Sequence, residues 1–128
     1  MYTPDWLVKF AQHIAGTIVI SSEVGATIKM YRKKYGMAQR QVANLLNLRR
    51  ETISRIERGM TNPTIHFVQN LTGVLTMIEV IRASRAHGHE IEFPLLKRIA
   101  REFGIQPEKV DMILNIALKS RTLDREEV

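Results

Sequence analysis

The segment RQVANLLNLRRETISRIERG, residues 40–59, threads arginines through an apolar pattern to which none of them belongs. Ile53 and Ile56 have the spacing of one helical face, so Arg50, Glu51 and Arg55 fall on the outward side of the same helix. A guanidinium is a planar fork of donors that stays charged at physiological pH and fits phosphate or paired acceptors. Residues 28–59 hold nine Lys/Arg against Glu51 and Glu57, a net +7, whereas the whole chain is +6 and the remainder is therefore −1. Charge gathered in one quarter of the chain implies a polyanionic partner facing that quarter.

Other chemistry is poorly provided for. With no cysteine there are no disulfides, thiolate nucleophiles or cysteine metal sites, which fits an intracellular protein. His87-Gly88-His89 with Glu90 offers metal-ligand types, but two histidines around a glycine also make a polar turn and a third ligand cluster is lacking. No metal or cofactor is expected. His13 and His66 stand alone among apolar residues, and no Ser/His/Asp set, phosphate-cradling glycine loop or catalytic carboxylate pair can be assembled, so an enzyme is not expected. Asp5, Lys9, Gln12 and His13 interrupt the apolar N-terminal stretch, which argues against a signal peptide. No segment reaches the roughly 18 consecutive apolar residues of a membrane span. A soluble, cytoplasmic protein without membrane contact is the expectation, and 128 residues at 45% hydrophobic content suffice for a real core.

The elements that must hold these arginines read as helices throughout. Thr3 and Pro4 open an amphipathic helix carrying Trp6, Leu7, Phe10 and Ile14, whose end is blurred by Thr17-Ile18-Val19-Ile20, a run that suits a buried helix or an extended link. Ser22 is placed to cap a second helix with Val24, Ile28 and Tyr31 inward, ending at Gly36. Gln39 to Leu46, with Val42, Ala43 and Leu46 inward, and Arg50 to Arg58 form two short helices joined at Asn47, a residue that tolerates a left-handed backbone. From Thr64 to about Arg85 apolar residues go nearly all round one long helix, which therefore needs cover on two sides. Gly73 within it marks either a close crossing or a break. Pro94 and Pro107 open two further helices, and the tail from Ser120 should fray. The division expected is 1–22 for an N-terminal helix, 23–86 for the central unit and 87–128 for a C-terminal extension.

IKMYRKKYGMAQRQVANLLNLRRETISRIERGMTNP resembles the DNA-binding unit of the Cro and lambda-repressor-like, Xre-type helix-turn-helix family. The pattern runs through Arg32, Gly36-Met37-Ala38-Gln39, Val42-Ala43, Asn47-Leu48-Arg49, Ile53-Ser54, Glu57-Arg58-Gly59 and Asn62-Pro63, and covers about residues 23–76. It departs from the family where Ala38 replaces a capping threonine, Asn47 a glycine, and Arg49 a capping serine or threonine. The resemblance implies an all-α, lambda-repressor-like helix-turn-helix bundle with an extra N-terminal helix and a C-terminal helical extension.

It also implies that the helix starting at Arg50 enters the major groove of double-stranded DNA, with Arg50, Glu51, Ser54 and Arg55 toward base edges. Glu51 would accept from cytosine or hold an arginine in its rotamer. Gln39, Arg40, Arg49, Thr52, Arg58 and Asn62 would meet phosphates, with Lys33 and Lys34 more peripheral. Arg32 and Glu57 match a structural ion pair. One recognition helix reads few base pairs, so a homodimer on a pseudo-palindromic operator is expected, nucleoid-associated when bound and acting most simply as a repressor. Trp6, Phe10, Phe67, Val74, Ile78 and Ile81 are the dimer-interface candidates. The C-terminal helices either cover one another or hold a protein partner. A multiprotein-bridging module and an antitoxin are alternative roles for the same fold.

Overall fold

The first helix, α1 (Asp5–Ile20), buries Leu7, Ala11, Ile14 and Ile18 along a single stripe. The computed structural model describes residues 5–88 and 92–127, with the side chains of all but residues 93 and 120–127. The Thr3-Pro4 start and the His89-Glu90 half of the histidine motif lie outside these. The β-branched run 17–20 continues the helix, helped by Thr17, whose hydroxyl donates to the His13 carbonyl at 2.6 Å. Val19 and Ile20 remain exposed at its end.

α2 (Val24–Lys34) starts without the expected Ser22 cap. Ser21 acts instead: its Oγ accepts the Glu23 amide at 3.1 Å and lies 2.7 Å from Thr27 Oγ1. Gly25 presses α2 onto the fourth helix, α4 (Arg50–Glu57), so closely that an added Cβ would stand 2.2 Å from the Ile56 carbonyl oxygen. The third helix, α3 (Gln39–Leu45), buries Val42, Ala43 and Leu45, while Leu46, expected inward, is only partly buried past the helix end.

α5 (Ile65–Ala86) is capped by Thr64, whose Oγ1 accepts the Phe67 amide at 3.0 Å. Twelve of its 22 residues are buried, too many for one stripe. The second cover comes from within the chain: α1 lies along one side, and α6 (Phe93–Glu102) and α7 (Val110–Glu127) along another. Phe67, Val74, Ile78 and Ile81, expected to face a second copy, are accordingly at most 5% exposed and belong to the core of the single chain. Trp6 stays 47% exposed, and Phe10 packs partly against the core. Gly73 marks a close crossing in an unbroken helix, since a Cβ there would stand 2.4 Å from Phe103 Cβ.

A 3-10 turn at Pro107–Lys109 leads into α7, which continues past Ser120. Arg82 fastens α5 to its surroundings: its guanidinium lies 5.5 Å from the centre of the Tyr35 ring and donates to the carbonyls of Tyr35 and Ala117. One buried cluster runs from Leu7 to Ala117. Among the described residues there is no strand, and no helix is long and apolar enough to cross a membrane.

Candidate nucleic-acid interface

The two short helices are joined by a turn whose geometry is fixed by backbone bonds. Asn47 adopts a left-handed φ of 56°, the Leu48 amide reaches back to the Ala43 carbonyl at 2.8 Å, and the Asn47 amide bonds to the Asn44 carbonyl at 3.4 Å. This is a Schellman ending with asparagine in the place usually held by glycine. α4 closes in the same way at Gly59. At the start of α3, Ala38 has no hydroxyl to offer, yet Gln41 Oε1 accepts the Ala38 amide at 2.8 Å. That is the half of a capping box that needs no hydroxyl, and its signal was a glutamine three residues after the cap.

With Ile53 and Ile56 buried, the other face of α4 is left to solvent. At about 100° per residue, positions 50, 51, 54, 55 and 58 span an arc of roughly 140°. Arg50, Glu51, Arg55 and Arg58 are exposed on it, and Ser54 is half-buried. Thr52 lies roughly 60° past the end of the arc, toward Ile56, and is also half-buried. Arg49, in extended conformation just before the helix, and Arg40 and Asn62 to either side are exposed as well.

Behind this arc lies a chain of polar contacts. Arg32 Nε donates to Glu57 Oε2 at 2.6 Å and Nη2 to Oε1 at 3.0 Å, while Nη1 reaches the Met37 carbonyl at 2.8 Å. Both residues are 8% exposed, so the fork of one matches the carboxylate of the other with little water between. Gln39 Nε2 donates to the same Glu57 Oε1 at 3.0 Å, and Gln39 Oε1 accepts from Arg50 Nη1 at 3.2 Å. The amide of Gln39, assigned from sequence to a phosphate, is thus engaged at both ends inside the protein. Arg50 also lies 3.9 Å from Glu51, a solvent-screened contact of small energetic weight.

A helix-turn-helix family model matches residues 28–76, from within α2 to the first half of α5. Forty-seven residues are 38% identical to an uncharacterized helix-turn-helix-type transcriptional regulator of Archaeoglobus fulgidus, and the alignment covers 37% of this chain and 67% of that protein. The chain belongs to the lambda-repressor-like helix-turn-helix family. No solved structure matches it. The matched family unit holds α3, α4 and the whole polar chain from Arg32 to Arg50, whereas α1, α6 and α7 lie outside it.

Proposed function

We propose that the protein is a sequence-specific double-stranded DNA-binding transcriptional regulator, with α4 as its recognition helix in the major groove. The observation that carries this reading is the exposed arc of Arg50, Arg55 and Arg58 on a helix whose opposite face is fixed to the core by Ile53, Ile56 and the Arg32–Glu57 pair. The regulator of Archaeoglobus fulgidus, similar over 47 residues, supports it.

Arg50 and Arg55 are assigned to base edges, where a bidentate pair with guanine O6 and N7 gives about 1–3 kcal/mol of discrimination. Glu51 and Ser54 flank them. Arg40, Arg49, Thr52, Arg58 and Asn62 are assigned to phosphates, and Gln39 positions Arg50. Because a single helix reads few base pairs, the active form is a homodimer on a pseudo-palindromic operator, acting as a repressor by occupancy. Of the residues expected at that contact, Trp6 remains exposed and Phe10 partly so, and Val8, Val19 and Ile20 add exposed apolar surface on the same helix, α1.

The test is selection of bound duplexes from a random library at near-physiological salt, where phosphate contacts alone no longer retain every sequence. The wild type should enrich a two-fold-symmetric motif that Arg50→Ala/Arg55→Ala loses while keeping its fold. A folded wild type that enriches nothing refutes the reading.

A further inference from the structure

We propose that Arg50 and Glu51 act as one unit that reads a single G·C base pair in the major groove, Arg50 on the guanine and Glu51 on the cytosine. This rests on the DNA-binding reading and names the base pair that the start of α4 selects. Both residues belong to the first turn of α4, and their side chains are 50% and 68% exposed. Arg50 Nη2 stands 3.9 Å from Glu51 Oε1, within reach of an ion pair but too long for a hydrogen bond. Gln39 already holds the same guanidinium, its Oε1 accepting from Nη1 at 3.2 Å. Glu51 is therefore not what fixes Arg50, and its carboxylate accepts no hydrogen bond among the described residues.

In solution, water solvates that carboxylate and screens its contact with Arg50. On the floor of a groove the water is displaced, and a charge left without a donor is costly. Phosphates repel it, so the donor has to come from a base edge. Only two groups donate in the major groove, adenine N6 and cytosine N4. Adenine N6 lies between two acceptors, its own N7 and O4 of the paired thymine, which repel a carboxylate from both sides. Cytosine N4 has an acceptor on one side only, guanine O6, and that is the atom an arginine takes.

Guanine O6 and cytosine N4 are bonded to each other within the pair and so lie side by side on its edge. A guanidinium on N7 and O6 with a carboxylate on N4 brings opposite charges into the contact that Arg50 and Glu51 already make. Along that edge the pair presents acceptor, acceptor, donor, and the two side chains present donor, donor, acceptor. The reversed C·G pair and A·T in either orientation break the match. A guanidinium carries five N–H donors, so Arg50 keeps its bond to Gln39 while giving one N–H from each Nη to guanine. Gln39 on the Nη1 side and Glu51 on the Nη2 side set Nη1 toward N7 and Nη2 toward O6.

The experiment first finds, by duplex selection, the pair at which Arg50→Ala abolishes preference. Wild type, Arg50→Ala and Glu51→Ala, each checked for folding by thermal melt, are then titrated with duplexes carrying G·C, C·G, A·T or T·A there. A fifth duplex carries N4-methylcytosine opposite the guanine, which keeps the pair and the guanine acceptors but blocks the amino donor in the groove. Wild type should favour G·C by roughly fivefold or more and lose a similar factor to N4-methylcytosine, to which Glu51→Ala should be indifferent. A wild type indifferent to N4-methylcytosine overturns the cytosine contact and leaves Glu51 acting on Arg50 alone. Loss of preference at different pairs in Arg50→Ala and Glu51→Ala, or at no pair in Arg50→Ala, overturns the single-pair unit. A folded wild type that selects no sequence sinks the regulator reading itself, whereas one that selects a motif without a G·C preference at that pair overturns this assignment only.

Discussion

Arg32→Met asks whether the buried arginine holds the fold or touches DNA. Methionine keeps much of the apolar stem, so the loss is mainly one of charge and three hydrogen bonds: two to Glu57 and one to the Met37 carbonyl. Glu57, 8% exposed, is left with Gln39 as its remaining side-chain donor at 3.0 Å. Removing one partner of a buried pair costs about 3–5 kcal/mol. The retained Gln39 bond places this case near the lower end, at about 3 kcal/mol. For a chain of this length each kcal/mol moves the melting midpoint by roughly 3–5 °C, so the midpoint should fall by about 10–15 °C.

The companion variant Arg32→Met/Glu57→Met removes both charges, and apolar replacement of a whole buried pair is often nearly neutral, so it should recover most of the loss. Thermal melts of the wild type, Arg32→Met, Glu57→Met and the double variant give the coupling directly, expected to be at least about 2 kcal/mol. Melts at raised salt should change the difference little, because buried charges are weakly screened. Duplex affinity, measured well below every midpoint, should be nearly that of the wild type. A single variant melting within about 3 °C of wild type, or a double variant no more stable than the singles, would refute the reasoning.

Other expectations follow from contacts elsewhere. Gly25→Ala sets a Cβ against the backbone of Ile56, which cannot rotate away, and should cost at least about 2–3 kcal/mol in denaturant unfolding. Arg58→Ala should weaken binding to all duplexes alike and lower the salt slope of the affinity by about one, as loss of a single phosphate contact requires. Tyr35 is held protonated first by burial and then by the charge and hydrogen bond of Glu79, with Arg82 partly opposing, so its hydroxyl titrates well above the usual value of 10.0. The resulting stability is complete below pH 10.0 and is lost as pH rises above it, because the unfolded chain ionises first. Tyr35→Phe should therefore flatten the alkaline decline in melting temperature while losing the 3.1 Å bond to Glu79 at neutral pH.

What the sequence discloses depends on how local the signal is. The family pattern and the all-helical class are written in short-range spacing: Val42-Ala43, Asn47, Ile53 and Ile56, and the glycines after α2 and α4. The apolar surround of α5 was equally legible, but periodicity shows that a face is covered without showing by which chain. Phe67, Val74, Ile78 and Ile81 therefore read as an interface, and their true cover comes from helices more distant along the same chain. Gly73 announced a choice between crossing and break, which only the position of Phe103 decides. Gly25, whose crossing is tighter, has no such announcement because it lies near the start of an ordinary helix. The exchange of Ser22 for Ser21 is a one-residue question of backbone direction that hydroxyl type cannot answer.

The recognition helix shows why the extension around the family unit matters to the arginines. α4 has eight residues, fewer than the roughly 12–15 at which an isolated helix begins to hold in water, so its shape comes from what it packs against. Ile53 and Ile56 supply the apolar part and the Arg32–Glu57 pair the polar part. Gln39 carries that order one step outward, because its amide bonds to Glu57 on one side and to Arg50 on the other. A long exposed arginine would otherwise lose side-chain entropy on docking, and each bond that holds it beforehand lowers that cost. Arg55 has no comparable partner among the described residues. The two arginines assigned to bases should therefore differ: Arg50 rigid and dependent on Gln39, Arg55 adaptable and independent of it. Gln39→Ala is expected to weaken the contribution of Arg50 to duplex discrimination while leaving that of Arg55 unchanged, and equal weakening of both would show that Gln39 supports the helix rather than its neighbour's side chain.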